Sequence, residues 1–403
     1  MTDMLILGGR VLIGPPGASI EDGAVLIRGE KIAAVGPRAA VLAAAGGAET
    51  VIDCSASTLL PGLVDAHAHL VLDGSADPVK ALSAVRGNRA QLLATAAKHA
   101  EEALLAGVTT MRDAGDVEGV AVELRDEILT GARRGPRLLA CGAPVTTQGG
   151  DGDFFGGEAT GEVGVRKAVE ARAGLGADHI SLIASGGHLS PDSPPTWQAT
   201  YSQEEMVAAV DEAHRAGLPI TAQAHASDAI ERAVLAGADI IGHCSWVSGE
   251  RQVTRSSAVA AKMAALGTSV CVVGSRRWRL VVENMGEARA REAFYDRLPW
   301  LDSLGVRLLI GTRAGTANAP FGDIVSALEM YEWAGLPRER ILELATVGAA
   351  AALGLADITG RLEPGLCADL IAVDGDPRLA LDSLRTPRLV IARGELSALQ
   401  TAG

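Results

Sequence analysis

The stretch Pro61–Leu70, PGLVDAHAHL, decides which fold the sequence predicts. It begins with a Pro-Gly turn signal and continues as a short apolar strand. Asp65, His67 and His69 have the same parity along that strand, so all three side chains lie on one side of it. An open, doubly wound sheet would carry a glycine-rich phosphate-binding turn after its first strand. The sequence DAHAHL is not such a turn, and the stretch therefore argues against that fold.

Seven more apolar segments follow the first, and helical patterns separate them. One of these helices opens with a capping box from Ser202 to Glu205. Strands that alternate with helices over roughly 270 residues are typical of an α/β fold of the (β/α)8, or TIM, barrel type, which we assign to residues 60–355. The eight segments are GLVDAHAHL, VTTMRDAG, PRLLACGAPV, DHISLIASGG, PITAQAHAS, DIIGHCSW, TSVCVVG and VRLLIGTRAG.

Short strand patterns with glycine-rich turns fill both ends of the chain. MLILGGRVLI and ETVIDCSAST lie near the amino end, and RLVIARGEL lies near the carboxyl end. Two β-rich ends around a different middle predict one small domain that is built from both. We therefore expect residues 1–59 and 356–403 to form a composite β-sandwich, and residues 60–355 to form the catalytic barrel.

Composition and charge exclude several classes of partner. The 403 residues carry a formal charge of −13, which argues against binding to nucleic acids or to anionic membrane surfaces. No run of about 18 uncharged apolar residues could span a bilayer, and the acidic start of the chain is unlike a signal peptide. We therefore expect a cytoplasmic protein that acts on a small molecule. The five cysteines are odd in number and lack CxxC spacing, so we expect reduced core thiols.

Four of the eight histidines fall at predicted strand ends. His67 and His69 end the first barrel strand, His225 the fifth and His243 the sixth. In (β/α)8 barrels the side chains at these ends form the active site. Imidazoles that share such a position bind a metal ion or act as acids and bases. An HxH pair taken alone could equally be two core histidines that bond to backbone groups.

Longer motifs resemble those of the amidohydrolase superfamily, nearest to its imidazolonepropionase-like and Xaa-Pro-dipeptidase-like branch. They are LLPGLVDAHAHL, GVTTMRDAG, AHASDAIERAVLAGADIIGH and GRLEPGLCADLIAVDGDP, spread over nearly the whole chain. The resemblance implies a binuclear centre, usually zinc, in which His67 and His69 bind one ion together with a strand-eight aspartate. His225 and His243 bind the second ion, and a carboxylated lysine on strand four bridges the two. A metal-bound hydroxide then attacks an amide or ester carbonyl. The resemblance also implies a homo-oligomer.

Four positions depart from this family pattern. Arg313, in LLIGTRAGTA, stands where the resembling enzymes have the metal-binding aspartate, and Ser181 stands where they have the lysine. Asp151 replaces a loop histidine, and His188 occurs where relatives have an apolar residue. Two anionic ligands are thus missing and a cation is added. A guanidinium about 4 Å from a dication opposes it by about 8 kcal/mol at an effective dielectric constant near 20. We therefore expect no binuclear centre, and at most a single zinc on the four strand-end histidines.

Two interpretations of Arg313 remain open at this point. It pairs with an acid, for which Asp65 and Asp151 are the candidates, or it binds a substrate carboxylate or stabilises an oxyanion. His188 is similarly either an exposed loop residue or an acid or base of the site.

Further side chains are candidates for substrate binding. With Arg313 we include Ser181, Trp197 and Tyr201 in this set. The two aromatic rings either stack on a flat ligand or pack their own loop.

Arginines and core polar residues complete the candidates. Arg276, Arg277 and Arg279 follow the seventh strand and favour an anionic ligand, although we expect at least two of the three to be surface charges. His179 and Gln223 have the parity of site residues but would lie deeper, so we expect both to be satisfied in the core.

The leading hypothesis is an enzyme that keeps the amidohydrolase scaffold but not two-metal hydrolysis. The surviving histidines, with Arg313 and either Asp65 or Asp151, would carry out acid–base chemistry on a small polar or anionic substrate. Cyclisation, condensation, elimination or isomerisation would suit such a site, for instance in specialised metabolism. The alternatives are a one-zinc hydrolase of an amide, peptide or lactam C–N bond, and a non-catalytic protein that binds a ligand at the barrel mouth. Degeneration of the site without a new activity is a fourth.

Overall fold

The computed structural model describes residues 3–250 and 252–400 and has a mixed α/β fold, which confirms the predicted fold class at that level. The strands are β1 (Met4–Leu12), β2 (Ser19–Glu21), β3 (Gly23–Arg28), β4 (Lys31–Pro37), β5 (Thr50–Pro61), β6 (Leu63–Ala68), β7 (Val108–Asp113), β8 (Arg137–Leu139), β9 (Ile180–Ile183), β10 (Ile220–Ala226), β11 (Ile240–Gly249), β12 (Gln252–Val253), β13 (Ser269–Val273), β14 (Arg307–Gly311), β15 (Leu370–Asp374), β16 (Leu389–Ala392) and β17 (Glu395–Leu399). The helices are α1 (Arg38–Ala45), α2 (Pro78–Val85), α3 (Arg89–Leu105), α4 (Val120–Leu129), α5 (Gly161–Leu175), α6 (Gln203–Arg215), α7 (Ser227–Ala236), α8 (Ser257–Leu266), α9 (Arg277–Met285), α10 (Glu287–Ala290), α11 (Arg297–Ser303), α12 (Ile324–Trp333), α13 (Arg338–Leu344) and α14 (Val347–Ala352).

One sheet of eight strands is built from both ends of the chain, in the order β17-β16-β15-β5-β1-β3-β4, with β2 paired to β1. Strands β1 and β5 run parallel with Ile6 opposite Ile52, and β5 runs antiparallel to β15 with Leu60 opposite Ile371. Strand patterns were predicted at both ends, and the sheet joins them. The division of the chain at residues 59/60 and 355/356 stays a prediction.

The middle of the chain forms two further sheets of mainly parallel strands. Six strands lie in the order β14-β13-β11-β10-β9 with β12 paired to β11, and three lie in the order β6-β7-β8. Each of the eight segments that were predicted as barrel strands contains one of these strands, namely β6, β7, β8, β9, β10, β11, β13 and β14. Helices α3 to α9 and α11 to α13 alternate with them, because their apolar residues recur at helical spacing.

Isolated parallel bridges connect the edges of these two sheets. At one seam Ala68 bridges Ala314, the amide of Arg313 donates to the carbonyl of His67 at 2.8 Å, and the amide of His69 donates to the carbonyl of Ala314 at 2.9 Å. At the other seam Val145 bridges Leu182. The strands do not form one continuous closed sheet, so the closed (β/α)8 barrel is not shown by the strand ladder and stays a prediction.

The interior between strands and helices is apolar, and it holds the cysteines. All five cysteines are buried and free, which agrees with the expected core thiols. Helix α6 begins with the predicted capping box: the Ser202 hydroxyl accepts from the Glu205 amide, and the Glu205 carboxylate accepts from the Ser202 amide. In residues 3–250 and 252–400, none of the helices is long and apolar enough to cross a membrane.

Candidate active site

The four strand-end histidines come together at the ends of three strands. The ring centroids of His67 and His69, on and just after β6, lie 5.2 Å apart. His243 of β11 lies 5.3 Å from His67 and 4.3 Å from His225 of β10. The His225 and His243 rings are stacked, with an angle of 18° between their planes. The predicted cluster is therefore present, and its two halves are in contact through His67 and His243.

Hydrogen bonds fix some of the imidazole nitrogens and leave others free. The Nδ1 of His69 donates to the carbonyl of Gly115 at 3.2 Å, so its Nε2 is an acceptor in the neutral ring. The Nδ1 of His225 lies 2.9 Å from the hydroxyl of Ser245. Both nitrogens of His67 are buried and have no protein partner. Buried polar atoms are normally satisfied, so the two free nitrogens of His67 face a place that water or a ligand would fill.

Arg313 is the one side chain whose charge lowers the pKa of all four of these histidines. Burial is the larger cause in each case, and together the two effects bring the pKa of His69 to about 4 and hold the other three well below the ordinary value. All four rings are therefore neutral at pH 7. Arg313 is half-buried, its Nε has no partner, and its backbone is left-handed with φ of 58°.

Neither of the two acids that were expected to pair with Arg313 does so. Asp65 instead binds the strand next to it: its Oδ1 accepts from the amides of Thr312 (2.9 Å) and His67 (3.2 Å), and its Oδ2 accepts from the Thr312 hydroxyl (2.5 Å). Burial raises the pKa of Asp65 to about 6. The carboxylate of Asp151 accepts from two loop amides, those of Leu189 (2.7 Å) and Ser190 (2.9 Å).

The charge of Asp151 nevertheless acts on Arg313. It raises the pKa of the guanidinium, against burial and the charge of Arg277, which lower it. The salt bridges within 4.0 Å among the described residues include none of Arg313. The expected ion pair is therefore replaced by a longer-range attraction, because each carboxylate is already held by backbone amides.

Polar groups beneath the histidines also lack partners. The hydroxyl of Ser181 and both ends of the Gln223 amide are buried without a protein hydrogen bond. Gly242 leaves space for Gln223, since a Cβ at that position would lie 1.8 Å from its Oε1. Gln223 was expected to be satisfied in the core, and this expectation is wrong. His179 does fit the expectation: its Nδ1 accepts from Arg112 at 2.8 Å, and its Nε2 donates to the carbonyl of Asp113 at 3.0 Å.

The cavity between these groups is small, and two loops contribute to its lining. It offers about 20 Å³ for the centre of a water molecule, which is room for one water but not for an organic substrate. Asp151 and Leu189, which are hydrogen-bonded to each other, belong to those loops. The lining residues are His67, His69, Ala114, Pro144, Asp151, Ile183, Ser185, Leu189, Gln223, His225 and His243.

His188 lies next to the cluster, with its ring centroid 5.9 Å from that of His225. Its side chain is exposed, although partial desolvation lowers its pKa, with a further lowering by Arg313 and Arg277. His188 is thus an exposed loop residue that lies beside the cluster, and its role as an acid or base stays a prediction. Of the neighbouring arginines, Arg276 pairs with Asp323 at 3.0 Å and Arg279 pairs with Glu329 at 2.5 Å.

The two aromatic candidates for substrate binding are not brought to the cavity. Tyr201 is 1% exposed, packs in the main core and donates its hydroxyl to the carbonyl of Ala159 at 2.9 Å. Trp197 is 41% exposed on the surface of the same loop. Neither lines the cavity. Substrate stacking by these rings stays a prediction, and in this structure Tyr201 packs in the main core instead.

Residues that the sequence did not single out also support the site. The hydroxyl of Ser185 accepts from the amide of His225 at 2.9 Å, and Ser245 contacts the ring of the same histidine. Arg297, the first residue of α11, is buried, and its Nη2 lies 3.4 Å from the carbonyl of His243. Ser245 has the same parity as His243, two residues before it, and this was the available signal. No local pattern marks Arg297, because it reaches the site from a helix.

The donor set does not fit the two-metal centre implied by the family resemblance. In the described part of the chain, no three His, Cys, Asp or Glu side chains are arranged to hold one metal ion. A zinc ion lies close to the plane of each imidazole that binds it, at about 2.1 Å from the nitrogen. The nearly parallel planes of His225 and His243 do not meet at such a point. The cation of Arg313 acts on all four rings, and position 181 supplies a hydroxyl instead of an anion.

Comparison with known proteins gives a consistent family. The sequence profile of the amidohydrolase family matches residues 58–397. The ochratoxinase of Aspergillus niger is 27% identical over 361 residues, covering 82% of this chain and 73% of that protein. The imidazolonepropionase of Rhizobium meliloti (strain 1021) is 27% identical over 398 residues, covering 90% and 87%.

Solved structures extend the likeness to the whole chain. A Xaa-Pro dipeptidase with methionine bound in its active site superposes with a TM-score of 0.84 at 27% identity, covering 98% of this chain and 99% of that one. A prolidase in complex with N-methylphosphonate-L-proline gives a TM-score of 0.83 at 25% identity, covering 99% and 100%.

Proposed function

Because the chain belongs to the amidohydrolase family, we propose that it is an enzyme that performs acid–base chemistry at the family's site without a two-metal centre. Its reaction would be a cyclisation, condensation, elimination or isomerisation of a small polar or anionic substrate. The proposal includes a (β/α)8 barrel over residues 60–355, with residues 1–59 and 356–403 as a composite β-sandwich. A homo-oligomeric assembly is part of the same proposal.

The observation that carries this proposal is the position of Arg313 among the four histidines. A guanidinium that acts on every imidazole opposes a dication at the same place by several kcal/mol. The same cation favours negative charge that develops on a substrate oxygen, since a preorganised donor in a dry site stabilises an oxyanion. One residue thus supports both the absence of the two-metal centre and the presence of an electrophilic group.

His225 is the best placed proton acceptor. It is neutral at pH 7, and its backbone is tied to Ser185. In the tautomer in which its Nδ1 donates to the hydroxyl of Ser245, its Nε2 accepts a proton. His243 stacks on it and would take a proton at a second position. His188 is near enough to return a proton at the mouth. Asp65 would act indirectly, by holding Thr312 and the backbone of His67.

A one-zinc hydrolase of an amide, peptide or lactam C–N bond is the second candidate. Two observations favour it: the relatives are named for hydrolytic reactions, and both nitrogens of His67 lack a partner. If one zinc were bound, His67 and His69 would be its first ligands, and the metal would supply a Lewis acid at the site.

Metal analysis combined with a chelation assay tests the proposal. The protein is purified from zinc-supplemented medium, its metal content is measured, and turnover of a panel of small carboxylic acids, dipeptides and lactams is followed by mass spectrometry. We expect turnover that survives chelation and is lost in His225→Ala but not in His214→Gln, a surface histidine that contacts Asp239. About two equivalents of zinc per chain, with activity that chelation abolishes, would overturn it.

A further inference from the structure

We infer that Arg313, whose amide is bonded to the carbonyl of His67, binds the carboxylate of the substrate beside the histidine cluster, and that the charge of Arg277 assists it. The inference rests on the proposed function of the same site and narrows its substrate class to small carboxylic acids. It places the carboxylate close to the reacting atoms of the substrate. The reason is that Arg313, which would bind the carboxylate, also lowers the pKa of all four imidazoles.

The unsatisfied state of Arg313 is the first step of the argument. A half-buried cation without a paired acid is costly, and the two acids that could pair with Arg313 are bound to other groups. Asp65 is bound to Thr312 and Asp151 to the amides of Leu189 and Ser190. The Nε of Arg313 is buried and unpartnered, so part of its donor fork has no acceptor. A carboxylate matches that fork with two parallel hydrogen bonds.

Backbone conformation supports a functional reason for this side chain. Arg313 has φ of 58°, a left-handed conformation that a residue with a long side chain adopts at a cost of about 1 kcal/mol or more. The amide of Arg313 donates to the carbonyl of His67, and the amide of Thr316 donates to the carbonyl of Arg313, so the backbone is held there. The strain therefore fixes the guanidinium beside the cluster instead of letting it turn to solvent.

The surroundings of Arg313 are positive. Arg277 is exposed, and its charge lowers the pKa of both Arg313 and His188, so it lies within electrostatic range of both. Its neighbours Arg276 and Arg279 are neutralised by surface acids, whereas Arg277 begins α9 without a capping side chain. The free end of that helix adds partial positive charge at the same end of the strands.

Charge balance selects a monoanion. The charges that act on Arg313 are the positive charge of Arg277 and the negative charge of Asp151, so these two and Arg313 itself leave a single positive charge to compensate. A carboxylate supplies that charge, and a phosphate dianion would exceed it. The substrate would therefore be a small acid whose reacting carbon lies within a few bonds of its carboxylate.

Binding of acetate, measured by ligand-observed NMR at constant ionic strength, tests this site without any turnover. We expect saturable 1:1 binding of acetate in the millimolar range, no binding of the neutral isostere acetamide, and about tenfold weaker acetate binding in Arg313→Gln. Arg277→Gln should weaken binding several-fold, and Arg276→Gln, on the same loop but paired with Asp323, should leave it unchanged. If Arg313→Gln fails to fold, as judged by circular dichroism, Arg313→Lys takes its place and should bind acetate several-fold more weakly, since it keeps the charge but loses the fork.

Three outcomes overturn the inference. They are equal acetate binding in wild type and a folded Arg313 variant, absence of saturable acetate binding in the wild type, and tighter binding of inorganic phosphate than of acetate. The result is separable from the test of the proposed function. If acetate binding depends on Arg313 but turnover requires two zinc ions, the proposed function is wrong and this inference stands. If turnover survives chelation but acetate does not bind, this inference is wrong and the proposed function stands.

Discussion

At the level of single residues, Ser181 and Arg313 occupy the two positions at which the resembling enzymes carry a lysine and an aspartate. Both side chains have buried atoms without a partner, the Oγ of one and the Nε of the other. Each substitution removes one anion from the site, and the second also adds a cation. The two together change the formal charge of the donor set by three units, from two anions to one cation, while the four histidines stay in place.

Reversing both substitutions should therefore restore metal binding. We predict that Ser181→Lys combined with Arg313→Asp binds about two zinc ions per chain in bicarbonate buffer, because a carboxylated lysine and a carboxylate would again bridge and bind the ions. Aspartate tolerates the left-handed backbone of position 313, so no new strain is expected. Zinc content and the zinc-dependent rise in melting temperature are the measurements.

The single substitutions serve as controls for this restoration. Arg313→Asp alone removes the opposing cation and should allow at most one zinc. Ser181→Lys alone adds a buried cation and should lower the melting temperature without binding zinc. A folded double variant that holds no more zinc than the wild type would show that the orientation of the histidines, and not the charge of the site, prevents metal binding.

The histidine cluster could be predicted from the sequence, whereas the partners of the charged groups could not. Parity and strand ends bring His67, His225 and His243 together, and the structure agrees. Of the two interpretations of Arg313, pairing with an acid at contact distance is not seen, because hydrogen bonds from backbone amides, which no sequence pattern records, engage Asp151. The burial of Tyr201 could not be predicted for a related reason, since its hydroxyl satisfies a carbonyl of a neighbouring loop.

At the level of elements, Asp65 connects strand β6 to the end of β14 across the seam between the two parallel sheets. Its carboxylate accepts three hydrogen bonds, two from Thr312 and one from the amide of His67. The bridge between Ala68 and Ala314 lies at the same seam. Asp65 therefore has a structural role, because it holds the ends of β6 and β14 together beside the site.

Removal of this carboxylate should weaken the seam. We predict that Asp65→Ala lowers the free energy of unfolding by about 1–3 kcal/mol, because the buried amide and hydroxyl of Thr312 lose their acceptor. Hydrogen exchange of the amides at residues 312–314 should become faster. The control is Asp73→Ala, an exposed aspartate in the next loop that accepts only from Ser75. Equal effects of the two substitutions on exchange at residues 312–314 would contradict this role.

The strands themselves followed from local patterns, but their arrangement into sheets did not. Alternation and turn signals locate β6, β9, β10, β11, β13 and β14, because each is a short apolar run between breakers. Closure of a barrel depends on hydrogen bonds between strands far apart in sequence. Between Val145 and Leu182 the pairing consists of a single bridge, and no sequence pattern in either segment predicts this.

At the level of the whole molecule, buried ionisable groups should make stability depend on pH. Asp116 is buried, and its Oδ2 and Oδ1 accept from the amides of Ala121 and Gly119 near the start of α4. Burial, together with the charge of Asp113, raises the pKa of Asp116 to about 8. In the unfolded chain an aspartate titrates near pH 4. Between these two values the folded state holds a proton that the unfolded state has released.

Stability from this group is therefore present at low pH and is lost as the pH rises from about 4 towards 8. We predict that Asp116→Asn, which cannot ionise, becomes more stable relative to the wild type over that window, by up to the order of 1 kcal/mol per pH unit. The melting temperatures of the wild type and of Asp116→Asn are measured at pH 5, 6.5 and 8. The buried histidines make both proteins more stable as the pH rises, so their contribution cancels in the difference between the two melting temperatures. Asp192→Asn, in an exposed loop, is the control. A difference between wild type and Asp116→Asn that does not change with pH would refute the assignment.

The sheet that joins both ends of the chain has a consequence for biosynthesis. Leu60 of β5 pairs with Ile371 of β15, so 311 residues separate the two partners. A ribosome that makes about 5–20 residues per second needs roughly 15 to 60 seconds to extend the chain from one partner to the other. During that interval β5 has an open edge, which is the kind of surface on which strands of other chains assemble. Nascent chains of this protein are therefore exposed to aggregation until about the last tenth of the chain emerges, and a stop codon anywhere before β15 would leave that edge permanently open.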